Sequence, residues 1–123
     1  MRSRNLLDSF RVAFSGLWYA LRTQRNTRIH LAIAAAVVGL GLWLDLAPIQ
    51  WAVLVLTIGV VLVSEMLNTL AETLVDLVSP GYHPLAKVVK DVTAGAVLLA
   101  AIISIAVGLL VLGPPLWERL VGH

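Results

Sequence analysis

The chain has 123 residues, 59% of them hydrophobic and 13% charged, with mean hydropathy +0.92 and a formal net charge of +2. A soluble domain is about a quarter charged, so this balance points to a membrane protein and away from a soluble bundle of buried helices. There is no cysteine, which excludes disulfides and thiolate metal sites.

Residues 4–22 predict an amphipathic helix lying on the membrane surface. Leu6, Leu7, Phe10, Ala13, Phe14, Leu17 and Leu21 fall on one arc, opposite Arg4, Asp8, Arg11, Ser15 and Arg22. This Arg-bearing start does not read as a cleavable signal, which would show a short apolar core and a cleavage site. Gly16 and RTQRNT (Arg22–Thr27) predict a bend before the first long apolar run.

Three apolar runs follow. Ile29–Leu46 is interrupted by His30 and Asp45, Ile49–Val63 leads into an acidic stretch, and Val92–Leu112 has Thr93 and Ser104 as its polar side chains. A helix crosses a bilayer with about 20 apolar residues, so the expectation is an all-α polytopic membrane protein with spans at 29–47, 49–78 and 86–112. Pro48 marks one turn, SPGYHP (Ser79–Pro84) the other, and Pro114-Pro115 is expected to end the last span. No repeat or linker suggests more than one domain over 1–123.

Arg2, Arg4, Arg11, Arg22, Arg25 and Arg28 precede the first span, Lys87 and Lys90 lie between the second and third, and the 45–50 turn has no Lys or Arg. The positive-inside rule then places the N-terminus and the 79–91 loop in the cytoplasm. These cations act as topology signals and anionic-lipid contacts, and need no nucleic-acid partner.

The second span runs without Pro or Gly into SEMLNTLAETLVD (Ser64–Asp76). At about 100° per residue, Glu65, Asn68, Glu72 and Asp76 fall within roughly 80° of each other on one face. At about 1.5 Å per residue from Ile49, Glu65 lies roughly 24 Å along the helix and Asp76 roughly 40 Å, against an apolar layer about 30 Å thick. Glu65 is therefore expected just inside the cytoplasmic edge of that layer, with Glu72 and Asp76 in the headgroups and water. An ionisable group at membrane depth signals function, and a carboxylate there suits a general base acting on a hydroxyl. A solvated helix end would equally account for Glu72 and Asp76.

The next helix opens with Lys87, Lys90 and Asp91 at that same wet level, and with Ala94 and Gly95 about one turn deeper, small enough to let another helix approach closely. Carboxylates with a cationic cluster at a membrane edge can bind Mg²⁺ and hold a polyphosphate. No Walker-type or GxGxxG loop accompanies them. His83 has no second His at metal spacing, so a zinc site is not expected. Two functions remain: a phosphotransferase acting on a lipid hydroxyl, and a small ion or proton transporter with Glu65 as relay. A relay needs ionisable groups across the whole bilayer, whereas the polar side chains here gather at one face, which favours interfacial catalysis.

The run E-x-x-N-T-x-x-E-x-x-x-D (Glu65, Asn68, Thr69, Glu72, Asp76), followed by Y-H-P-L-A-K-x-x-K-D-x-x-A-G-A-V-L (Tyr82–Leu98), resembles the bacterial diacylglycerol/undecaprenol kinase family of integral-membrane lipid kinases. The likeness covers almost the whole chain, and RNTRIH (Arg25–His30) with HPLAK look more like the undecaprenol kinase branch. It implies a homotrimer with shared active sites in the bacterial inner membrane, Mg·ATP as phosphoryl donor, and undecaprenol or diacylglycerol as acceptor. By position, Glu65 would be the base and Glu72 a metal ligand. Asn68, Glu72, Asp76, Tyr82, His83, Lys90 and Asp91 would line the nucleotide, with Lys90 on the phosphates. Where the family often has a metal-binding Glu before the first span this chain has Gln24, whose amide oxygen can coordinate Mg²⁺ without the charge. Val12 stands where a family tyrosine would contact the nucleotide. Thr69-Leu70-Ala71 departs from the usual Ala then Ile, a change that repacks helix contacts.

Overall fold

A computed structural model describes residues 5–122 as four α-helices, α1 (Leu6–Thr23), α2 (Arg25–Leu44), α3 (Pro48–Val78) and α4 (Pro84–Trp117), closed by a short π-helical turn at Glu118–Gly122. No strand occurs among the described residues. The protein is all-α, and α2, α3 and the stretch Pro84–Gly122 are each long and apolar enough to cross a membrane. Arg2 and Arg4 lie outside the described residues.

Three of the four α-helices start on residues suited to a helix N-terminus. Asn5 caps α1, its Oδ1 accepting from the Asp8 N–H at 2.8 Å. Pro48 and Pro84 occupy the first turns of α3 and α4, where a missing N–H costs nothing. The far end of α1 is held from α2: Arg28 donates to the carbonyls of Leu21 and Arg22, both at 3.0 Å. Arg28 thus takes up carbonyls that the helix itself leaves unsatisfied and fixes α1 against the start of α2. Most of the apolar arc of α1, Leu6, Leu7, Phe10, Phe14 and Leu17, is exposed within the chain.

Two expectations are corrected here. Gly16 does not bend the chain: α1 runs through it, and the break is confined to Gln24, an extended residue that ends α1 and begins α2. Nor do Pro114 and Pro115 end the last helix, which continues to Trp117. Proline removes a hydrogen bond and crowds the preceding turn. Here packing offsets that loss, because Leu116 lies on the apolar cluster of Leu44, Leu46, Leu54 and Leu112.

That cluster is at the α2–α3 turn. Asp45 closes the turn in a left-handed conformation (φ 55°), which a short polar side chain tolerates. Arg119 reaches back to it, its guanidinium 3.8 Å from the Asp45 carboxylate and 4.9 Å from the centre of the Trp43 ring. Gly41 makes the closest approach there: a Cβ at this position would come within 2.8 Å of Trp51 Cη2 and 3.1 Å of Leu46 Cδ1. Gly41→Val is therefore expected to overpack the cluster and destabilise the protein by about 1–3 kcal/mol. Thermal unfolding in detergent checks this, with Gly39→Val as control, since nothing lies within 4 Å of a Cβ there. Equal unfolding midpoints for the two variants would contradict the packing account.

At about 1.5 Å per residue, α3 (31 residues) is roughly 46 Å long and α4 (34 residues) roughly 51 Å, so both outrun an apolar layer of about 30 Å. The acids of α3 and the lysines of α4 gather at the end of the bundle away from the leucine cluster. Thr93, Val97 and Ala100 turn inward from α4, while Ala94 and Gly95 stay exposed and nothing within the chain lies within 4 Å of a Cβ at Gly95. The close helix approach expected at the small pair therefore does not occur within one chain. The inward face follows the 93–97–100 spacing and leaves the pair outside it.

Candidate functional site

The polar face of α3 is graded as its helical phase and length require. Glu65 is the most buried large side chain, 1% exposed, Asn68 and Glu72 are half-buried, and Asp76 is exposed. Thr69, also buried, donates its hydroxyl to the Glu65 carbonyl at 3.0 Å and so needs no other partner. A carboxylate loses several kcal/mol of hydration on such burial and persists only with compensating partners or a chemical task.

The partner comes from α2. His30 Nε2 lies 3.2 Å from Glu65 Oε1, across the seam where α2 and α3 run antiparallel. The contact is close but not aligned as a hydrogen bond, and Glu65 Oε1 remains without a hydrogen-bond partner. Thr27 Oγ1 and Asn68 Oδ1 are buried and unpartnered as well. Thr27 is one turn from His30 and Asn68 one turn from Glu65, both towards the polar end. The state of Thr27 has a local cause. Thr57, Thr69, Thr73 and Thr93 each bond the carbonyl four residues earlier, but four residues before Thr27 the chain is still in α1, beyond the break at Gln24. All three orphan atoms are oxygens able to accept. Buried polar atoms in folded proteins are nearly always paired, so this group is suited to an incoming donor, such as a hydroxyl, or to a cation.

Sequence reasoning passed over His30 and Thr27. The available signal was their spacing: His30 and Thr27 stand 15 and 18 residues before the 45–47 turn and Glu65 and Asn68 stand 18 and 21 after it, within about one helical turn of level.

His30 also closes one end of an apolar cavity of about 360 Å³ between α2, α3 and α4, lined by Ala34, Val37, Leu54, Val61, Leu109 and Leu112 among others. The cavity runs along the bundle from the Glu65 level to the leucine cluster.

Nearer the water, the acids and lysines divide into pairs. Lys90 Nζ donates to Asp76 Oδ1 at 3.1 Å, joining α4 to α3, and Lys87 pairs with Asp91 at 2.6 Å within α4. Lys90 keeps two further donors for another acceptor. Among the described residues Glu72 has no ion-pair partner. His83 caps α4, its Nδ1 accepting from the Leu85 N–H at 3.1 Å, and Tyr82 beside it is fully extended into solvent. Gln24 is half-buried and makes no side-chain capping bond, which leaves its amide oxygen available. The structure thus brings Glu65, Asn68, Glu72 and Asp76 onto one face and ties Lys90 to it. Tyr82 and His83 stand apart in the loop.

No group of three or more His, Cys, Asp or Glu side chains among the described residues could by itself enclose a metal ion. The donor set nevertheless fits Mg²⁺, which binds through one or two carboxylates and completes its shell with water and phosphate oxygens. An uncompensated Glu72 carboxylate is a ligand of that kind.

The prokaryotic diacylglycerol kinase family model matches residues 11–112. A diacylglycerol kinase of Synechocystis sp. is 51% identical over 118 residues, covering 95% of this chain and 67% of that protein. An undecaprenol kinase of Bacillus subtilis is 43% identical over 117 residues, 92% of this chain and 95% of that one. A diacylglycerol kinase of Escherichia coli is 35% identical over 75 residues, 61% of each chain.

Proposed function

Because the chain belongs to the prokaryotic diacylglycerol kinase family, and so to the ATP-dependent lipid kinases, we propose that it phosphorylates undecaprenol at the cytoplasmic face of the bacterial inner membrane. The observation that carries this reading is the buried Glu65 carboxylate at the head of a face that becomes progressively more exposed towards Asp76. Family membership decides for a kinase over the ion relay.

In this mechanism Glu65 takes the proton of the lipid hydroxyl as the oxygen attacks the γ-phosphorus of ATP, and ADP leaves. Asn68 orients the groups beside it. Glu72, with Gln24, would hold Mg²⁺, which when bound neutralises charge between the phosphate oxygens. Lys90 turns its free donors to the phosphates while Asp76 holds its ammonium in place, and Asp91, Tyr82 and His83 line the nucleotide side. Phosphoryl transfer asks chiefly for position and charge compensation, which a few side chains at a membrane edge supply. A homotrimer is part of the same reading and rests on the family resemblance; the small-residue face at Ala94 and Gly95, open within one chain, leaves room for a neighbouring helix. The N-terminus and the 79–91 loop are cytoplasmic, as the arginines and lysines require.

Undecaprenol is favoured by near-complete coverage of the Bacillus relative and by the RNTRIH and HPLAK segments. Diacylglycerol is the second reading, favoured by the higher identity to the Synechocystis relative. Purified protein given labelled ATP with undecaprenol and diacylglycerol side by side separates them. Faster labelling of undecaprenol by about tenfold or more is expected, and preference for diacylglycerol would reverse the assignment.

A further inference from the structure

We propose that His30 is the positioning residue of the site, its Nε2–H holding the Glu65 carboxylate at the end of the apolar cavity where the lipid alcohol arrives. The inference builds on Glu65 as the base. Three observations on this chain support it. His30 Nε2 is 3.2 Å from Glu65 Oε1, while the carboxylate is otherwise sealed from water. His30 itself lines the cavity, whose remaining walls are nearly all apolar, so it is the ring through which that cavity communicates with the carboxylate. In this structure the contact lies off the hydrogen-bond line, and a small turn of the ring when the alcohol arrives would align the Nε2–H on Oε1. Catalytic contacts of this sort commonly tighten only with substrate in place.

The chemistry asks little of the imidazole. Through an Nε2–H it donates to the carboxylate and fixes one of its oxygens, directing the other lone pairs to the entering hydroxyl. The ring gives up no proton in the transfer: the hydroxyl proton goes to Glu65. A side chain of similar shape without a donor should therefore fill the space and lose the function, and a different side chain with a donor should restore part of it.

The test is kinetic, on full-length protein in detergent with undecaprenol and with diacylglycerol as acceptor. His30→Phe is expected to lower kcat by about 10- to 100-fold, the scale of a misplaced reacting group, with KM for ATP within about twofold of wild type. His30→Gln, which keeps an N–H, should recover at least about a third of the wild-type kcat. In the Glu65→Gln background, His30→Phe should cost no further activity, because the two side chains act as one unit. A purely structural His30 would instead give equal losses for Phe and Gln and additive effects with Glu65→Gln. Either result overturns the proposal, as does wild-type turnover in His30→Phe. If Glu65→Gln alone retains near wild-type activity, the base assignment fails first. If Glu65→Gln is inactive and His30→Phe is normal, only the role of His30 falls.

Discussion

Glu65→Gln is expected to lower turnover by about a thousandfold, leaving a small residual rate, while the protein folds and binds ATP as wild type does. The magnitude is that of a positioned general base, about 10²–10⁴ in rate, or about 4 kcal/mol of barrier for a thousandfold change. Glutamine has the shape of glutamate, so the seam between α2 and α3 should close unchanged around it. It also removes a buried ionisable group, so the thermal midpoint should stay level or rise. Turnover with a lipid acceptor, nucleotide binding and thermal unfolding measured on one preparation distinguish a lost base from a lost fold. Near wild-type turnover would remove Glu65 from the chemistry.

Glu72→Ala should have the second largest effect, on a different variable. Glu72 is half-buried and, among the described residues, has no cationic partner, whereas Asp76 and Asp91 are each paired with a lysine. An uncompensated carboxylate at the membrane edge is the side chain best placed to hold Mg²⁺ beside ATP. Its removal should raise the Mg²⁺ concentration for half-maximal activity by about tenfold or more, the scale of about 1.4 kcal/mol or more of lost binding. Part of the rate should return at saturating Mg²⁺. A Mg²⁺ titration of activity reads this directly, and an unchanged midpoint would place the metal elsewhere.

The two predictions involve residues that periodicity alone put on one face, and the structure keeps them there with the burial gradient that helix length implied. What periodicity could not supply was the other side of the site. His30 reads along the chain as one polar interruption in an apolar run, and Thr27 as part of a polar bend. His30 meets Glu65 only across a helical hairpin whose two arms are joined at 45–47. Likewise the lysines of α4 read as a phosphate cluster, yet Lys90 is bound to Asp76 and Lys87 to Asp91, so charges that looked free compensate each other.

The end of the bundle away from the site makes the same point about local signals. Two consecutive prolines are a strong stop, and still the helix passes through them because Leu116 gains a place on the leucine cluster. A glycine in the surface helix suggests a bend, and the helix ignores it because nothing there requires one.

Composition, apolar run length and the 3.6-residue period determine the membrane class, the helix count and the depth-graded acidic face, since these depend only on what each residue prefers as solvent and on the fixed rise of a helix. Pairings depend on which helix lies against which, and no single stretch of chain encodes that. Only the folded bundle places His30 on Glu65, leaves Thr27, Glu65 and Asn68 with unpaired oxygens, and sets His30 in the wall of an apolar cavity.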